Sequence, residues 1–85
     1  MFDVRVVELP PGGRRAYDVA EWAGALVIVD RGEVELACRD GRRTRFAGGA
    51  VLWLSGLPVR ELRNPGAAPA VLVAVSRRYA AFENT

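Results

Sequence analysis

Glycine, proline or an Asp-Gly pair interrupts this chain about every 8–12 residues, and the runs between the interruptions are short and rich in Val and Leu. That rhythm predicts a β-sandwich or barrel. The predicted strands are Phe2–Glu8, Arg15–Val19, Ala25–Asp30, Glu33–Arg39, Arg42–Phe46, Ala50–Leu54, Val59–Arg63 and Ala70–Arg77. Eight short antiparallel strands suit a jelly roll. Between Asp18 and Ala25 the chain is Ala-rich, which allows a helical turn of a few residues before Gly24. Residues 78–85, RYAAFENT, leave three readings open: a last strand, a helical turn or a frayed end.

The turn at Asp40-Gly41 decides which side chains face inward, because a one-residue slip sends every side chain to the other face. A two-residue loop would put Val34, Leu36 and Cys38 on one face with Arg43 and Arg45. A three-residue loop with Gly41 as the bulge residue sets Cys38 opposite Arg42, Leu36 opposite Thr44 and Val34 opposite Phe46. The second register matches apolar with apolar and is the one expected. It sends Arg43 and Arg45 outward, as a solvated face or an anion-binding patch. Two other strands are apolar on both faces. Ala25, Val27 and Val29 alternate with Leu26 and Ile28, and Val51 and Trp53 alternate with Leu52 and Leu54. One-sided burial would require polar residues in alternation. Both a closed sandwich and a subunit interface are therefore expected, the latter in a homodimer.

Eighty-five residues make one domain, 1–85. A chain of this length buries roughly 60–65% of the surface its unfolded form exposes, so its stability is marginal. Cys38 is the single cysteine, so no disulfide can form within the chain, and a lone thiol fits a reducing, cytoplasmic setting. Met1–Leu9 carries Asp3, Arg5 and Glu8 where a signal peptide would have its apolar core, and none is expected there. The longest apolar run, Trp22–Val29, falls far short of the about 20 residues that span a bilayer. A net charge of +2 does not call for nucleic acid as a partner. All 12 basic residues are arginine, and histidine is absent. Lysine Schiff-base chemistry and imidazole catalysis are thereby excluded.

The spacing of Gly13, Val19, Glu21, Ala25 and Gly32, followed by Gly49, Ser55, Leu57, Arg60 and Asn64, resembles the two motifs of the cupin family. In that family the first motif runs from a Gly through His-x-His and Glu to a second Gly. The second runs from a Gly through Pro-x-Gly and His to Asn. The resemblance covers about residues 12–76, and it implies a cupin-type double-stranded β-helix. The turn landmarks Gly13, Gly32, Gly49 and Asn64 are kept, while the positions that hold a metal in the family are here Val19, Glu21, Ala25 and Arg60. Three of these four cannot donate an electron pair to a metal at neutral pH, so no metal and no cofactor are expected.

If the family geometry holds, Glu21 and Arg60 face each other in the cavity. One reading makes them a structural plug, or leaves Glu21 on a loop surface. The other makes Arg60 the anchor for a carboxylate or other anionic group, with Glu21, Trp53, Leu62 and Trp22 around the ligand. Trp53 and Leu62 share the parity of a pocket wall, and Trp53 is either a stacking platform or core. Trp22 would gate the mouth or pack at a subunit contact. Cys38 reads as an inert core thiol, since no histidine can activate it. Glu21 and Tyr17 are the candidate proton-transfer groups. Three functions follow: a metal-free module binding a small anionic molecule in the barrel, a metal-independent isomerase, cyclase or dehydratase, and a structural or regulatory dimer with a filled pocket.

Overall fold

The computed structural model describes residues 1–77, so the C-terminal segment 78–85 lies outside the described residues. The elements are β1 (Phe2–Leu9), β2 (Arg14–Ala16), α1 (Val19–Trp22), β3 (Ala25–Arg31), β4 (Glu33–Cys38), β5 (Arg43–Ala47), β6 (Val51–Trp53), β7 (Val59–Arg63) and β8 (Ala70–Arg77). Eight strands form as the punctuation predicts. The largest change is at β2, which stops at Ala16 because Asp18 opens α1, accepting a hydrogen bond from the Ala20 N–H at 3.0 Å.

All strand pairs are antiparallel, in two four-stranded sheets ordered β1-β8-β3-β6 and β2-β7-β4-β5. Apart from the β4–β5 hairpin, neighbours within each sheet are not consecutive in sequence, which is how a jelly roll closes. The core lies between the sheets, with Val7, Val27 and Leu72 meeting Val34, Leu36 and Leu62. The hairpin from β4 to β5 has the three-residue register, Val34 opposite Phe46 and Leu36 opposite Thr44. Cys38 donates to the Arg42 carbonyl at 2.9 Å, and Gly41 sits at φ +91°, the left-handed conformation its bulge position needs. Arg43 and Arg45 project outward.

Asn64 explains its place among the turn landmarks. Its buried side chain donates to the Leu9 carbonyl at 3.0 Å and the Ala68 carbonyl at 2.8 Å, and accepts from Gly66 N–H at 2.9 Å. One amide thus ties the end of β1 to the β7–β8 turn, a task that needs both donors and an acceptor. Gly32 is fixed by space: a Cβ there would lie 2.7 Å from the Pro69 carbonyl oxygen.

Candidate functional site

Glu21 is the centre of charge at one end of the barrel. It sits on α1, and Arg5 from β1 and Arg15 from β2 reach it from the two opposite sheets. Arg5 Nη1 donates to Glu21 Oε2 at 3.3 Å, Arg15 Nε donates to Oε1 at 3.3 Å, and Arg15 Nη2 also donates to Oε2. Arg5 Nη2 donates to the Glu21 carbonyl. Arg15's hydrogen bonds hold the Glu21 carboxyl below its ordinary pKa, and the charge of both arginines adds to this. The guanidinium of Arg5 lies 5.1 Å from the ring centroid of Trp22, a cation–π distance. Trp22 is fully buried beneath it, and its indole N–H has no acceptor among the described residues. The arrangement clasps the two sheets together over a tryptophan plug.

Arg60, expected to face Glu21, does not reach it. Along β4 and β7 the register passes from Ala37 opposite Glu61 to Cys38 opposite Val59, which leaves Arg60 as the extra residue of a β-bulge. The bulge keeps both Val59 and Leu62 inside and sends Arg60 to solvent. Trp53 is also displaced from its expected place. Leu52 takes the inward position on β6, and Trp53 stands on the outer face of its sheet, while Leu62 is core. Trp22 is neither a gate nor an exposed contact but an interior filler.

Val19 is exposed at the start of α1 and Ala25 is buried at the start of β3, so neither adds a donor atom beside Glu21. Among the described residues no three His, Cys, Asp or Glu side chains cluster. Two guanidinium groups around one carboxylate make this end of the barrel unsuited to a cation.

An open cleft of about 360 Å³ lies beside the clasp, lined by Tyr17, Val19, Ala23, Arg39, Ser55, Gly56, Leu57 and Pro58. The β6–β7 turn supplies four of these, and it includes Ser55 and Leu57 at the motif positions noted above. The Arg39 backbone N–H donates to the Pro58 carbonyl at 2.8 Å, which seats Arg39 at the rim. Its guanidinium has no hydrogen bond or ion pair among the described residues. Ser55 Oγ accepts from the Gly24 N–H at 3.3 Å, leaving its own proton to donate. Partial burial raises the pKa of the Tyr17 phenol, so it is a neutral donor near pH 7. Tyr17 is thus the one sequence candidate that lines the cleft. Arg39, Ser55, Arg5 and Arg15 were not legible as site residues: Arg39 reads as a hairpin-end charge, and Arg5 as the polar member of an alternating strand.

Similar solved structures have the same topology. A Cupin 2 conserved barrel domain protein from Salinispora arenicola superposes with a TM-score of 0.68 at 23% identity, over 87% of this chain and 60% of that one. The chain has the cupin fold. A cupin-superfamily sugar phosphate isomerase from Silicibacter pomeroyi gives a TM-score of 0.61 at 25% identity, over 91% of this chain and 51% of its own. The Cupin 2 domain of an XRE family transcriptional regulator from Enterobacter cloacae gives 0.64 at 21%, over 92% and 83%. This cupin barrel therefore spans little more than half the length of the first two. No family model and no curated protein matches the sequence. Among the described residues no helix is long and apolar enough to cross a membrane.

Proposed function

We propose that this cupin barrel is a metal-free binding module that takes a small anionic molecule in the cleft at its mouth, with Arg39 as the anchor. The observation that carries the proposal is the unpaired Arg39 guanidinium at the rim of a 360 Å³ cleft that also holds the Tyr17 and Ser55 hydroxyls. The volume is within the usual range for small-molecule sites. A planar guanidinium binds carboxylate or phosphate oxygens with two hydrogen bonds, and Val19, Leu57 and Pro58 supply an apolar wall. The site is the mouth and not the barrel interior, because Trp22, Leu54 and Leu62 fill the interior. Glu21 is a poor general base, since its two arginines hold the carboxylate in its ionised, weakly basic form.

One of the similar structures fits this chemistry, being named as an isomerase of sugar phosphates. Calorimetric titration with inorganic phosphate, acetate and a hexose phosphate tests it. A probe should bind the wild type, and Arg39→Ala should weaken it by about tenfold or more, the worth of a hydrogen bond to a charged group. Arg60→Ala should leave the affinity unchanged. Absence of binding by all three probes, or equal affinity in Arg39→Ala, would overturn the proposal. Turnover of the hexose phosphate that Tyr17→Phe abolishes without loss of binding would instead support an isomerase.

A further inference from the structure

The outer face of the sheet β2-β7-β4-β5 carries a row of charge across all four strands. Register places Arg14, Arg63, Glu35 and Arg45 side by side, with Ala16, Glu61, Ala37 and Arg43 in the next row. A cleft of about 280 Å³ opens on this face, and it shares no lining residue with the cleft at the mouth. Arg43, Arg45 and Arg63 line it together with Glu35, and the loops after β1 and β7, at Gly12 and Gly66, complete the lining. Apart from Pro65 it has no apolar side chain, and Glu33, one row further along β4, does not line it.

We infer that this second cleft is an anion site for a compact ligand with two linked phosphoryl groups, a diphosphate. The inference is independent of the ligand proposed for the mouth. Glu35 brackets the site, because each of its carboxylate oxygens takes one arginine: Oε2 lies 3.5 Å from Arg45 Nε, and Oε1 lies 3.6 Å from Arg63 Nη1. Its side chain is 11% exposed against 65% for Arg45 and 29% for Arg63, so an incoming anion meets guanidinium before carboxylate. These contacts are longer than the about 2.7–2.9 Å of a strong charge-assisted hydrogen bond, so they orient the arginines without using up their donors. A guanidinium offers five N–H donors. Arg45 commits Nε alone, and Arg63 commits Nη1 to Glu35 and Nε to Glu61. Arg43 commits none among the described residues. Across the ladder it faces Ala37, which gives it nothing to pair with.

Charge and size together select the ligand. Three arginines against one carboxylate leave the lining positive, and an anion with more than one charge gains most from it. The cleft is smaller than the about 300–1,000 Å³ of sites for drug-sized molecules, and it offers no apolar wall on which a ring or chain could pack. A diphosphate meets both conditions. Arg43 and Arg45 stand about 7 Å apart along one face of β5, so two linked phosphoryl groups can engage both, where a single one would have to draw them to one point. Each guanidinium can then bind phosphate oxygens with two parallel hydrogen bonds.

The test uses the Arg39→Ala chain, so that the cleft at the mouth cannot supply the signal. Calorimetric titration with inorganic pyrophosphate at low salt should show one site, and inorganic phosphate should bind more weakly. Arg43→Ala in that chain should lower the affinity for pyrophosphate about tenfold, the worth of a hydrogen bond to a charged group. Arg43 leaves no partner stranded, so its removal spares the fold. Arg31→Ala, the same loss of charge on the other sheet, should change the affinity little. Glu35→Gln is the second variant: it keeps the shape of the bracket, removes its charge and should bind pyrophosphate severalfold more tightly, an effect that damage to the fold would not produce. ADP bound as tightly as pyrophosphate would assign the site to the diphosphate end of a larger molecule, and pyrophosphate bound alone to the free ion; both support the inference. Absence of pyrophosphate binding, or equal affinity in the Arg43→Ala and Arg31→Ala chains, would overturn it. So would a short DNA duplex that binds where pyrophosphate does not, since the arginines would then be following a nucleic-acid backbone.

Discussion

Glu21 accepts hydrogen bonds from arginines of both sheets, and the consequences of that can be measured residue by residue. In a double-mutant cycle, Arg15→Ala and Glu21→Ala should show a coupling of about 0.5 kcal/mol or more, because each single change strands the other charge. The same cycle with Arg60→Ala should be additive, since the bulge holds Arg60 away from Glu21. Acid adds a second signature. The Glu21 carboxyl is held below its unfolded pKa, so the stability it contributes is full above about pH 4.3 and is lost as pH falls through the depressed folded value. Asp40, held down by the Arg42 backbone N–H, acts with the same sign. Glu21→Gln should therefore be less stable than wild type at neutral pH, with a shallower but not flat loss on acidification. Urea melts at several pH values check this, and an acid limb parallel to the wild type would contradict it.

At the scale of elements, the β7–β8 turn depends on Asn64 and Gly32. Asn64→Asp keeps the size of the side chain but removes both amide donors, and the carboxylate would face the Leu9 and Ala68 carbonyls. Each lost hydrogen bond costs about 0.5–1.5 kcal/mol, and the repulsion adds to it. A loss of about 2–4 kcal/mol in chemical denaturation is expected for Asn64→Asp, with partial recovery at acid pH, where the protonated group can donate once. Gly32→Ala should be as damaging, because its methyl group meets backbone at 2.7 Å and not a side chain that could swing away. The strands were legible for the same reason: turn chemistry is local, and Asp40-Gly41 dictated a register that the ladder reproduces pair by pair. The bulge at Arg60 was not. Its cause is the need to bury both Val59 and Leu62 against β4, which no local residue announces.

For the whole molecule, the sequence placed Trp53 and Leu62 on one pocket wall, and the fold puts them on opposite sides of a sheet. Leu62→Ala should cost about 2–5 kcal/mol, a large share of the roughly 5–15 kcal/mol that stabilises a domain. Trp53→Ala should cost less than about 1 kcal/mol, because its side chain is half-exposed. Equal costs in urea melts would return Trp53 to the core. The contrast follows from topology: in the first sheet β8 and β3 lie between β1 and β6, and in the second β7 and β4 lie between β2 and β5. Which side of each strand is inside depends on that order.

The sequence by itself determined the all-β class, the eight strands, the hairpin register and the turn landmarks. These depend on backbone conformation, on alternation within a strand or on residue chemistry, all of which are local. Tertiary structure alone decided the partners of each charge. Arg5 reads as the polar side of an alternating strand, yet it points inward, because Val7 and Leu9 on its own face are needed in the core. Val4 and Val6 are turned out by the same parity. Arg15 meets Glu21 instead of Arg60 because two sheets, distant in sequence, converge on α1 at one end of the barrel. Side-chain partnership across sheets is a property of closure, and a strand read alone carries no record of what will close over it.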